Sequence, residues 1–508
     1  MLTRTAIIDI GSNSARLVIF EQTSRYGFHL ICEQKSKVRI GEGAYEKKGH
    51  LQVPGITRAF LTLKSFLYTI QKYQVIKTHC VATSALRDAP NAQDFISWVH
   101  NELGLNINVI DGKKEALYGA IAANNLLPVH SGITIDIGGG SSDMSLIHNN
   151  EIIDTYSLDL GTVRLKELFF DKDLDSATKH AKARAYIQNE LLSLPSHFKH
   201  HLAIGIGGTI RTLSKAIMKR SSYPLDKLHA YEYTLANHID YLEAIPFASI
   251  KKLKQFQIKK NRYDTIREGT LIFTEILSYI QATHVISSSV GVREGVFLSH
   301  FLKNEKLQFP LTSNPSVKSI LDRFKPLITI EKKRKAKLKM GLRLYDVLKY
   351  EIDDDKRFGQ ELLWALKLSG IGKTLTIYKS NQHAFYIAMQ ELNYAFTHSQ
   401  IVLIASLLRI HGKSIILRSL HDEYKALLPT INHLRWLSFI YTLSVYLHQA
   451  SNAAKIDFNY SNTTLYIKSN KPLYLAKEKI EKLEKPMDFK IIIEDEDSLP
   501  KNKKLGIL

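Results

Sequence analysis

The spacing of apolar residues divides the chain into a part that alternates strands with helices and a part that is helical. Apolar residues cluster as in a strand–turn–strand unit over 5–20 and again over 132–148. Helical spacing over 61–73 follows the first unit, and strand-to-helix transitions follow over 77–103 and 107–127. Such alternation, which continues to about residue 300, favours an α/β fold with layered sheets and helices.

Beyond residue 300 the pattern changes. Residues 303–316 are polar with two prolines and are typical of a linker, and helical periodicity then runs to about residue 450. The stretch "EKKRKAKLK" at 331–339 is expected to form one charged helix face. Short strand-like pieces after residue 455 indicate a small α+β tail. The predicted domains are therefore 1–125, 126–303, 316–452 and 453–508.

Length and composition fit several domains with real cores. The chain has 508 residues, of which 44% are hydrophobic. We see no signal peptide, and the most apolar stretch, 401–410, is too short to span a bilayer. Cys32 and Cys80 are the two cysteines, too few for a disulfide framework or a zinc site. A cytoplasmic location is expected.

The net charge of +20, from 69 Lys and Arg against 49 Asp and Glu, favours polyanionic partners. Nucleic acid, an anionic membrane surface and a phosphate polymer all satisfy this charge. A solvated lysine-rich surface is the alternative explanation. No helix-turn-helix signature, aromatic stacking motif or zinc spacing supports nucleic-acid binding, so nucleic acid is not expected as a partner.

One short device occurs twice in the chain. "AIIDIGSNSARLVI" (6–19) and "TIDIGGGSSDMSLI" (134–147) each place an Asp, then Ile-Gly and small residues, between two apolar runs. Glycines let the backbone turn tightly, and the loop N–H groups can converge on a phosphate with help from serine hydroxyls. Two such loops suggest two related halves that face each other across a cleft. Ordinary hairpins with capping Asp and Ser residues are the alternative.

The two aspartates, Asp9 and Asp136, suggest a metal ion. A carboxylate beside bound phosphates would be repelled unless a divalent cation lay between them. We therefore expect Mg²⁺, with Mn²⁺ as the alternative.

Seven segments together resemble the exopolyphosphatase/guanosine pentaphosphate phosphatase (Ppx/GppA) family. They are "IDIGSNSARLVI", "VATSALRDAPNAQDF", "VIDGKKEALYG", "DIGGGSSDMS", "GTVRLKELF", "GIGGTIRTLSKA" and "SVGVREGVF", which occur in the family's order over residues 3–300. The resemblance implies two actin-like, ribonuclease-H-like α/β lobes with a central cleft. The segment beyond 316 resembles the extra all-helical, HD-like domain of long members, followed here by the small α+β tail.

The resemblance also implies roles for individual residues. Glu115 would be the general base, Asp136 and Asp143 would hold the metal ion, and Asp9 would lie close by. Phosphate contacts would come from two loops, a third glycine turn and several arginines: Gly11, Ser12, Asn13, Ser14, Arg87, Gly138, Gly139, Gly140, Ser141, Gly207, Gly208, Thr209, Arg262 and Arg267. Surface ion pairs or helix–sheet packing are the alternatives for the arginines and the third turn.

Two positions depart from the family pattern. Asp143 stands where the family usually has Glu, which keeps the carboxylate but shortens the side chain by one methylene. In the helical domain, "LKLSGIGK" places Ser369 and Gly370 where long members often carry a His-Asp pair. Without that pair the helical domain is not expected to be a second metal-dependent hydrolase.

The expected activity is removal of the terminal phosphate of inorganic polyphosphate by water. Removal of the 5′ γ-phosphate from guanosine pentaphosphate is the alternative, and the high positive charge favours the polymer because a long polyanion uses a long basic track. A non-catalytic sensor of polyphosphate or nucleotide is a third hypothesis, disfavoured by the retained Glu115. Relatives often dimerise, so a homodimer is expected.

Overall fold

The computed structural model describes residues 3–44, 47–324, 331–352, 358–410, 418–450 and 455–495. The chain divides into two compact units, Met1–Ser319 with Asn393–Phe396, and Ile320–Leu392 with Thr397–Leu508. Residues 316–319 and 393–396, which we assigned to the helical domain, thus group with the first unit. No helix in the described part of the chain has the length and apolar character that a bilayer crossing needs.

The first unit contains two sheets that share the order of five strands, and the second sheet has one further strand at its edge. The strands of the first sheet are β1 (Thr3–Ile10), β2 (Ala15–Gln22), β3 (Phe28–Ser36), β4 (Lys77–Ala82) and β5 (Ile107–Val109), ordered β3-β2-β1-β4-β5. The strands of the second are β6 (Gly132–Ile137), β7 (Ser142–His148), β8 (Glu151–Leu158), β9 (Leu202–Ile206), β10 (Glu232–Thr234) and β11 (His284–Ser287), ordered β10-β11-β9-β6-β7-β8. Each sheet has an antiparallel meander of three strands joined to two parallel strands.

The helices of this unit follow the strands in alternation, as the sequence pattern predicted. They are α1 (Val53–Lys72), α2 (Ser84–Arg87), α3 (Ala92–Leu103), α4 (Gly112–Leu126), α5 (Thr162–Leu165), α6 (Ser176–Leu191), α7 (Gly207–Arg220), α8 (Ile239–Phe247), α9 (Ile266–Ile280), α10 (Val292–Phe301) and α11 (Pro315–Arg323), the last of which runs into the second unit. A short π-helix, Lys166–Phe170, continues α5. Helices α1 and α3 cover one face of the first sheet through residues such as Leu63 and Phe95.

Helix α4 determines where a cleft opens between the two lobes. Its middle consists of small and apolar residues that are almost fully buried, so it packs against both sheets: Ile121 joins a core with the first sheet, and Ala120 and Ala123 join a core with the second. Because a helix with apolar residues all round must be enclosed, only its first turn reaches the cleft. Glu115 lies in that turn.

The second unit consists of helices and a small sheet. Its helices are α12 (Glu331–Leu348), α13 (Gly359–Leu368), α14 (Ser380–Glu391), α15 (His398–Arg409), α16 (Arg418–Glu423), α17 (Ile431–Ala450) and α18 (Tyr474–Glu481). Strands β12 (Ile456–Ser461), β13 (Thr464–Ser469) and β14 (Lys490–Asp495) form the three-stranded sheet. The likeness of this unit to an HD domain stays a prediction, and residues 453–454 and 496–508 of the predicted tail lie outside the described residues.

The predicted charged face at 331–339 differs from the structure at one residue. Lys337 is only 5% exposed, and its ammonium donates a hydrogen bond to Ser369 Oγ. The exposed neighbours Lys335 and Lys339 do lie on the surface, while the side chains of 331–334 lie outside the described part. Helical geometry accounts for the difference, because a run of nine residues makes more than two turns and must present some of them to the core.

Candidate active site

The first predicted phosphate loop, Gly11–Ser14, is a tight hairpin between β1 and β2. The Gly11 N–H donates to the Ser14 carbonyl at 3.1 Å, and the carbonyls of Ser12 and Asn13 accept from the N–H groups of Gly41 and Arg39. In a planar trans peptide the next N–H points opposite to the carbonyl. The amides of Asn13 and Ser14 therefore face away from that support, and both residues line the cleft.

The second loop, Gly138–Ser141, repeats this construction between β6 and β7. The Gly138 N–H donates to the Ser141 carbonyl at 2.9 Å, and the carbonyls of Gly138 and Gly139 accept from the N–H groups of Thr162 and Val163. The amides of the following residues again point the other way, and Gly138, Gly139 and Ser141 line the cleft. The prediction of two matching loops across a cleft is confirmed as a structural arrangement.

A third glycine turn, Gly207–Thr209, begins α7 and also lines the cleft. Gly207 has a φ of +79°, and a Cβ at this position would collide with the carboxylate of Asp136. Glycine is thus required both for the turn and for the close approach of that aspartate. The N–H groups at the start of a fourteen-residue helix provide a natural anion site.

Glu115 is the carboxylate best placed to act as a base. Its helix begins at Gly112 and is capped by Asp111, whose carboxylate accepts a hydrogen bond from the Lys114 N–H at 2.7 Å, and this cap fixes the first turn. Arg87 Nη1 lies 3.3 Å from Glu115 Oε2. Burial raises the pKa of Glu115 well above its ordinary value, and the charges of Asp143 and Asp136 raise it further, while Arg87 opposes them.

Asp136 and Asp143 face each other across the β6–β7 pair. Asp136 lines the cleft, whereas Asp143 lies behind it, 4% exposed, and accepts hydrogen bonds from Ser157 Oγ at 2.6 Å and Ser141 Oγ at 3.3 Å. Burial raises the pKa of Asp143 to about 7 despite these donors. Two carboxylates directly opposite each other are unfavourable unless a proton or a cation intervenes.

Asp9 occupies the corresponding position in the first hairpin, and there its partner across the strands is Arg16. The carboxylate of Asp9 lies 4.0 Å from Arg293 Nε, at the start of α10. Burial raises the pKa of Asp9, and Arg293 and Arg16 counteract this. The two hairpins therefore match in backbone but differ in charge at one position: Arg16 in the first and Asp143 in the second.

A cluster of cations faces the carboxylates. Arg16 and Lys35 lie directly opposite each other on β2 and β3, and Arg262 and Arg293, from later in the chain, line the same cleft. Burial, followed by the charges of Arg16 and Arg262, lowers the pKa of Lys35 to about 8. Like charges opposed on adjacent strands destabilise a sheet, so this arrangement is typical of a surface that binds an anion.

Most of the predicted site residues are brought together. Those that line the cleft are Asp9, Gly11, Ser12, Asn13, Ser14, Glu115, Asp136, Gly138, Gly139, Ser141, Gly207, Gly208, Thr209 and Arg262. Arg87 contacts Glu115 from the end of α2, whereas a loop was predicted for it. Asp143 does not line the cleft itself but accepts a hydrogen bond from Ser141, which does. Gly140 is buried, with its carbonyl hydrogen-bonded to Arg164.

Arg267, a predicted phosphate contact, lies away from the cleft. Its guanidinium lies 3.8 Å from the buried carboxylate of Glu268 and does not line the cleft. Arg262 precedes helix α9 and reaches the cleft, whereas Arg267 lies within its first turn. Adjacent helix positions point about 100° apart, so a motif that fixes the helix does not by itself fix which side chain faces the substrate.

Sequence reasoning missed Arg16, Lys35 and Ser84. An arginine inside the apolar strand "ARLVIFEQ" was a signal for Arg16. Lys35 could be found only with β3, which the pattern did not predict. Ser84 Oγ lies 3.0 Å from Ser12 Oγ, a contact between residues that are far apart in sequence.

The donor atoms of the cleft suit Mg²⁺. Within the described residues, no three His, Cys, Asp or Glu side chains form a ready-made metal site. Mg²⁺, however, is usually held by one or two carboxylates together with substrate phosphates and water. Asp136 and Asp9 offer hard oxygen donors beside the phosphate-type loops, which fits such an ion.

A second cavity adjoins the cleft and shares Ser12, Asn13, Ser84, Gly139 and Thr265 with it. Part of its wall is apolar, from residues such as Ala85 and Val163. Its charged residues are mostly acidic: Glu42, Asp88, Glu167, Asp171 and Asp264, against Arg39 and Lys166. The cavity therefore differs in character from the cationic cleft.

Comparisons with known proteins agree with this geometry. The model of the Ppx/GppA phosphatase family matches residues 18–304. A bifunctional 3-dehydroquinate synthase/phosphatase of Fusobacterium nucleatum is 32% identical over 299 residues, 56% of this chain, and the chain spans 44% of the length of that relative.

Solved structures are similar over a comparable share of the chain. The Ppx/GppA family member of Aquifex aeolicus is 29% identical with a TM-score of 0.52, over 60% of this chain and 99% of its own. An exopolyphosphatase of Cytophaga hutchinsonii, 23% identical with a TM-score of 0.55 over 60% of this chain and 100% of its own, shares the fold.

Proposed function

We propose, because this chain belongs to the Ppx/GppA phosphatase family, that it hydrolyses the terminal phosphoanhydride bond of inorganic polyphosphate. The observation that carries the proposal is Glu115, a recessed carboxylate held by Arg87 at the end of a cleft that two matching loops line. A phosphate bound to both loops would lie beside a group able to accept a proton from water.

The chain's own residues supply three parts of the reaction. The loop amides hold the terminal phosphate, and a water oxygen attacks its phosphorus in line with the bridging bond. Glu115 accepts a proton from that water, the bridging P–O bond breaks, and the shortened chain leaves as an oxyanion. Orthophosphate is the second product.

Positive charge stabilises the equatorial and leaving oxygens. Arg16, Lys35, Arg262 and Arg293 provide it from the cleft wall. When bound, Mg²⁺, with Mn²⁺ as the alternative, would neutralise phosphate charge. Asp136 and Asp9 would hold it, while Asp143, the other predicted ligand, lies behind Ser141 and does not line the cleft. In that case the carboxylates of the site would be paired with cations rather than opposed to the substrate.

Removal of the 5′ γ-phosphate from guanosine pentaphosphate is the second candidate function, and the neighbouring cavity favours it. Its partly apolar wall, with Ala85 and Val163, is typical of sites that bind organic ligands. The acidic residues Asp88, Asp171 and Asp264 would repel a phosphate chain, but carboxylates accept hydrogen bonds from the N–H groups of a guanine. The net charge of +20 favours the polymer.

Phosphate release from long polyphosphate and from guanosine pentaphosphate, each with and without Mg²⁺, tests the proposal. We expect Mg²⁺-dependent release from the polymer at the higher kcat/KM. A preference for the nucleotide would reverse the ranking of the two substrates. Tight binding of either without turnover would instead support the sensor hypothesis.

A further inference from the structure

Arg164 belongs to a short segment that supports the second phosphate loop through hydrogen bonds to the loop carbonyls. Gly161–Arg164 follows β8, and Gly161 has no room for a side chain because a Cβ would collide with the main chain of Gly139 and Gly140. The N–H groups of Thr162 and Val163 bind the carbonyls of Gly138 and Gly139. Arg164 Nε completes the set, donating to the Gly140 carbonyl at 2.9 Å.

The other end of the same guanidinium reaches the first lobe. Arg164 Nη2 lies 3.0 Å from Asp159 Oδ1 and 3.6 Å from Asp88 Oδ2. Asp88 Oδ1 is 3.5 Å from Arg87 Nε, and Arg87 Nη1 is 3.3 Å from Glu115 Oε2. A row of alternating charges thus runs from the Gly140 carbonyl to the proposed base.

Stability alone does not account for this row. Asp88 is 41% exposed and Asp159 67% exposed, and ion pairs of exposed groups contribute little to folding. Arg164 itself is 18% exposed, and its planar guanidinium can donate to a carbonyl at one edge and to carboxylates at the other. This arrangement can hold the second phosphate loop and the Arg87–Glu115 pair in a fixed position relative to each other.

We infer that Arg164 is a positioning residue for the proposed hydrolysis, which ties the second phosphate loop to the Arg87–Glu115 pair. The inference rests on the proposed function. Arg164 does not touch the phosphate; it acts through Asp88 and Arg87 on the orientation of Glu115, and through Gly140 on the loop. Phosphate position and base orientation are thereby set by one side chain.

The loss of Arg164 should therefore lower kcat more than it weakens binding. The backbone amides of Thr162 and Val163 still hold the loop, so the phosphate site survives. Without Arg164, Asp88 competes more strongly with Glu115 for Arg87, and the base loses its orientation. Misplacement of a catalytic group by about 1 Å costs on the order of 100-fold in rate.

The test compares Arg164→Met, Arg164→Lys and Asp88→Asn in the full chain, with tripolyphosphate as substrate and Mg²⁺ at saturation. We expect Arg164→Met to lower kcat by about 10- to 100-fold with KM changed less than about threefold. Lysine keeps the positive charge but cannot donate to the Gly140 carbonyl and to the carboxylates at the same time. The kcat of Arg164→Lys should therefore lie between those of Arg164→Met and wild type. If Arg164→Met fails to fold, the lysine and asparagine variants carry the same comparison.

The double variant Arg164→Met with Asp88→Asn distinguishes a loss of kcat through one shared chain of contacts from two independent losses. If both residues act through one chain of contacts, the double variant should lose no more kcat than the worse single variant. The control is Arg184→Met, which removes an ion pair with Glu275 from α6 of the same lobe and should leave kcat within about twofold of wild type.

The outcomes distinguish the inference from the proposed function. Wild-type protein that releases phosphate from none of long polyphosphate, tripolyphosphate and guanosine pentaphosphate refutes the proposed function, and the inference falls with it. Active wild type overturns the inference alone in three cases: kcat of Arg164→Met is unchanged, the losses of the two single variants multiply, or KM rises while kcat stays constant.

Discussion

The replacement Asp143→Asn should stabilise the protein, and by an amount that depends on pH. Asp143 is 4% exposed and lies directly opposite Asp136, so its negative charge is unfavourable in the folded state. Asparagine has the same shape and can still accept the hydrogen bond from Ser157 Oγ, now 2.6 Å away. The substitution thus removes the charge and keeps the packing.

The magnitude follows from the pKa of Asp143, which burial raises from its ordinary value of 3.8 to about 7. Between these two values the folded protein keeps a proton that the unfolded chain has released, so stability falls as pH rises and levels off above pH 7. The full penalty is about 4 kcal/mol, of which about 3 kcal/mol arises between pH 5 and pH 9. The asparagine variant does not incur it.

Urea unfolding in a chelating buffer at pH 5, 7 and 9 measures this difference. Pulsed hydrogen exchange, read on peptides that cover 132–148, follows the first unit separately from the second. The advantage of the variant should grow by about 3 kcal/mol between pH 5 and pH 9. The control Asp173→Asn, at an exposed loop position, should show no such trend.

A constant difference between wild type and Asp143→Asn across this range would refute the reasoning. It would mean that Asp143 has the same charge in the folded and unfolded protein throughout. A variant that is less stable at every pH would show that the Ser157 and Ser141 hydrogen bonds require a carboxylate.

Three further predictions concern activity. Glu115→Gln should lower kcat by about 10²- to 10⁴-fold with substrate binding retained, and activity within threefold of wild type would exclude Glu115 as the base. In the wild type, activity should rise with pH through an acid limb above the ordinary carboxyl pKa of 4.5, because the base must be ionised. KM should increase as pH rises past 8 and Lys35 loses its charge, and Lys35→Arg should abolish that increase, whereas an identical profile in both proteins would assign it to another group. KM for long polyphosphate should rise with salt more steeply than KM for tripolyphosphate, because a longer chain releases more counterions, and equal salt slopes would argue against a polymer track.

The sequence predicted the parts of the site that are local in the chain. Glycine between two apolar runs predicted the loops at Gly11 and Gly138, and the structure has a hairpin at both positions. Glu115 was assigned its role from the family resemblance, and the turn and helix predicted around it are contiguous in the chain. These features depend on neighbours within a few residues, whose conformational preferences act directly on the backbone.

The rest depends on contacts between distant residues. The pairing of Arg16 with Lys35 requires the register of β2 and β3, and the contact of Arg164 with Gly140 requires two loops of the second lobe to meet. Arg267 was misplaced because its direction depends on helix rotation. Burial of Lys337 reflects tertiary packing that overrides a charged local pattern.

The unequal hairpins have a consequence for substrate orientation. A linear phosphate chain is identical when read from either end, and two identical loops would bind it equally well in both directions. Arg16 opposite Asp9 on one side, and Asp143 opposite Asp136 on the other, break that symmetry. Under the proposed function, the cationic side would hold the body of the chain, while the acidic side, next to Glu115, would hold its terminal phosphate together with the metal ion. One side chain that differs between the two matching hairpins thus gives the cleft a direction and, under the proposed function, a reason to release phosphates one at a time.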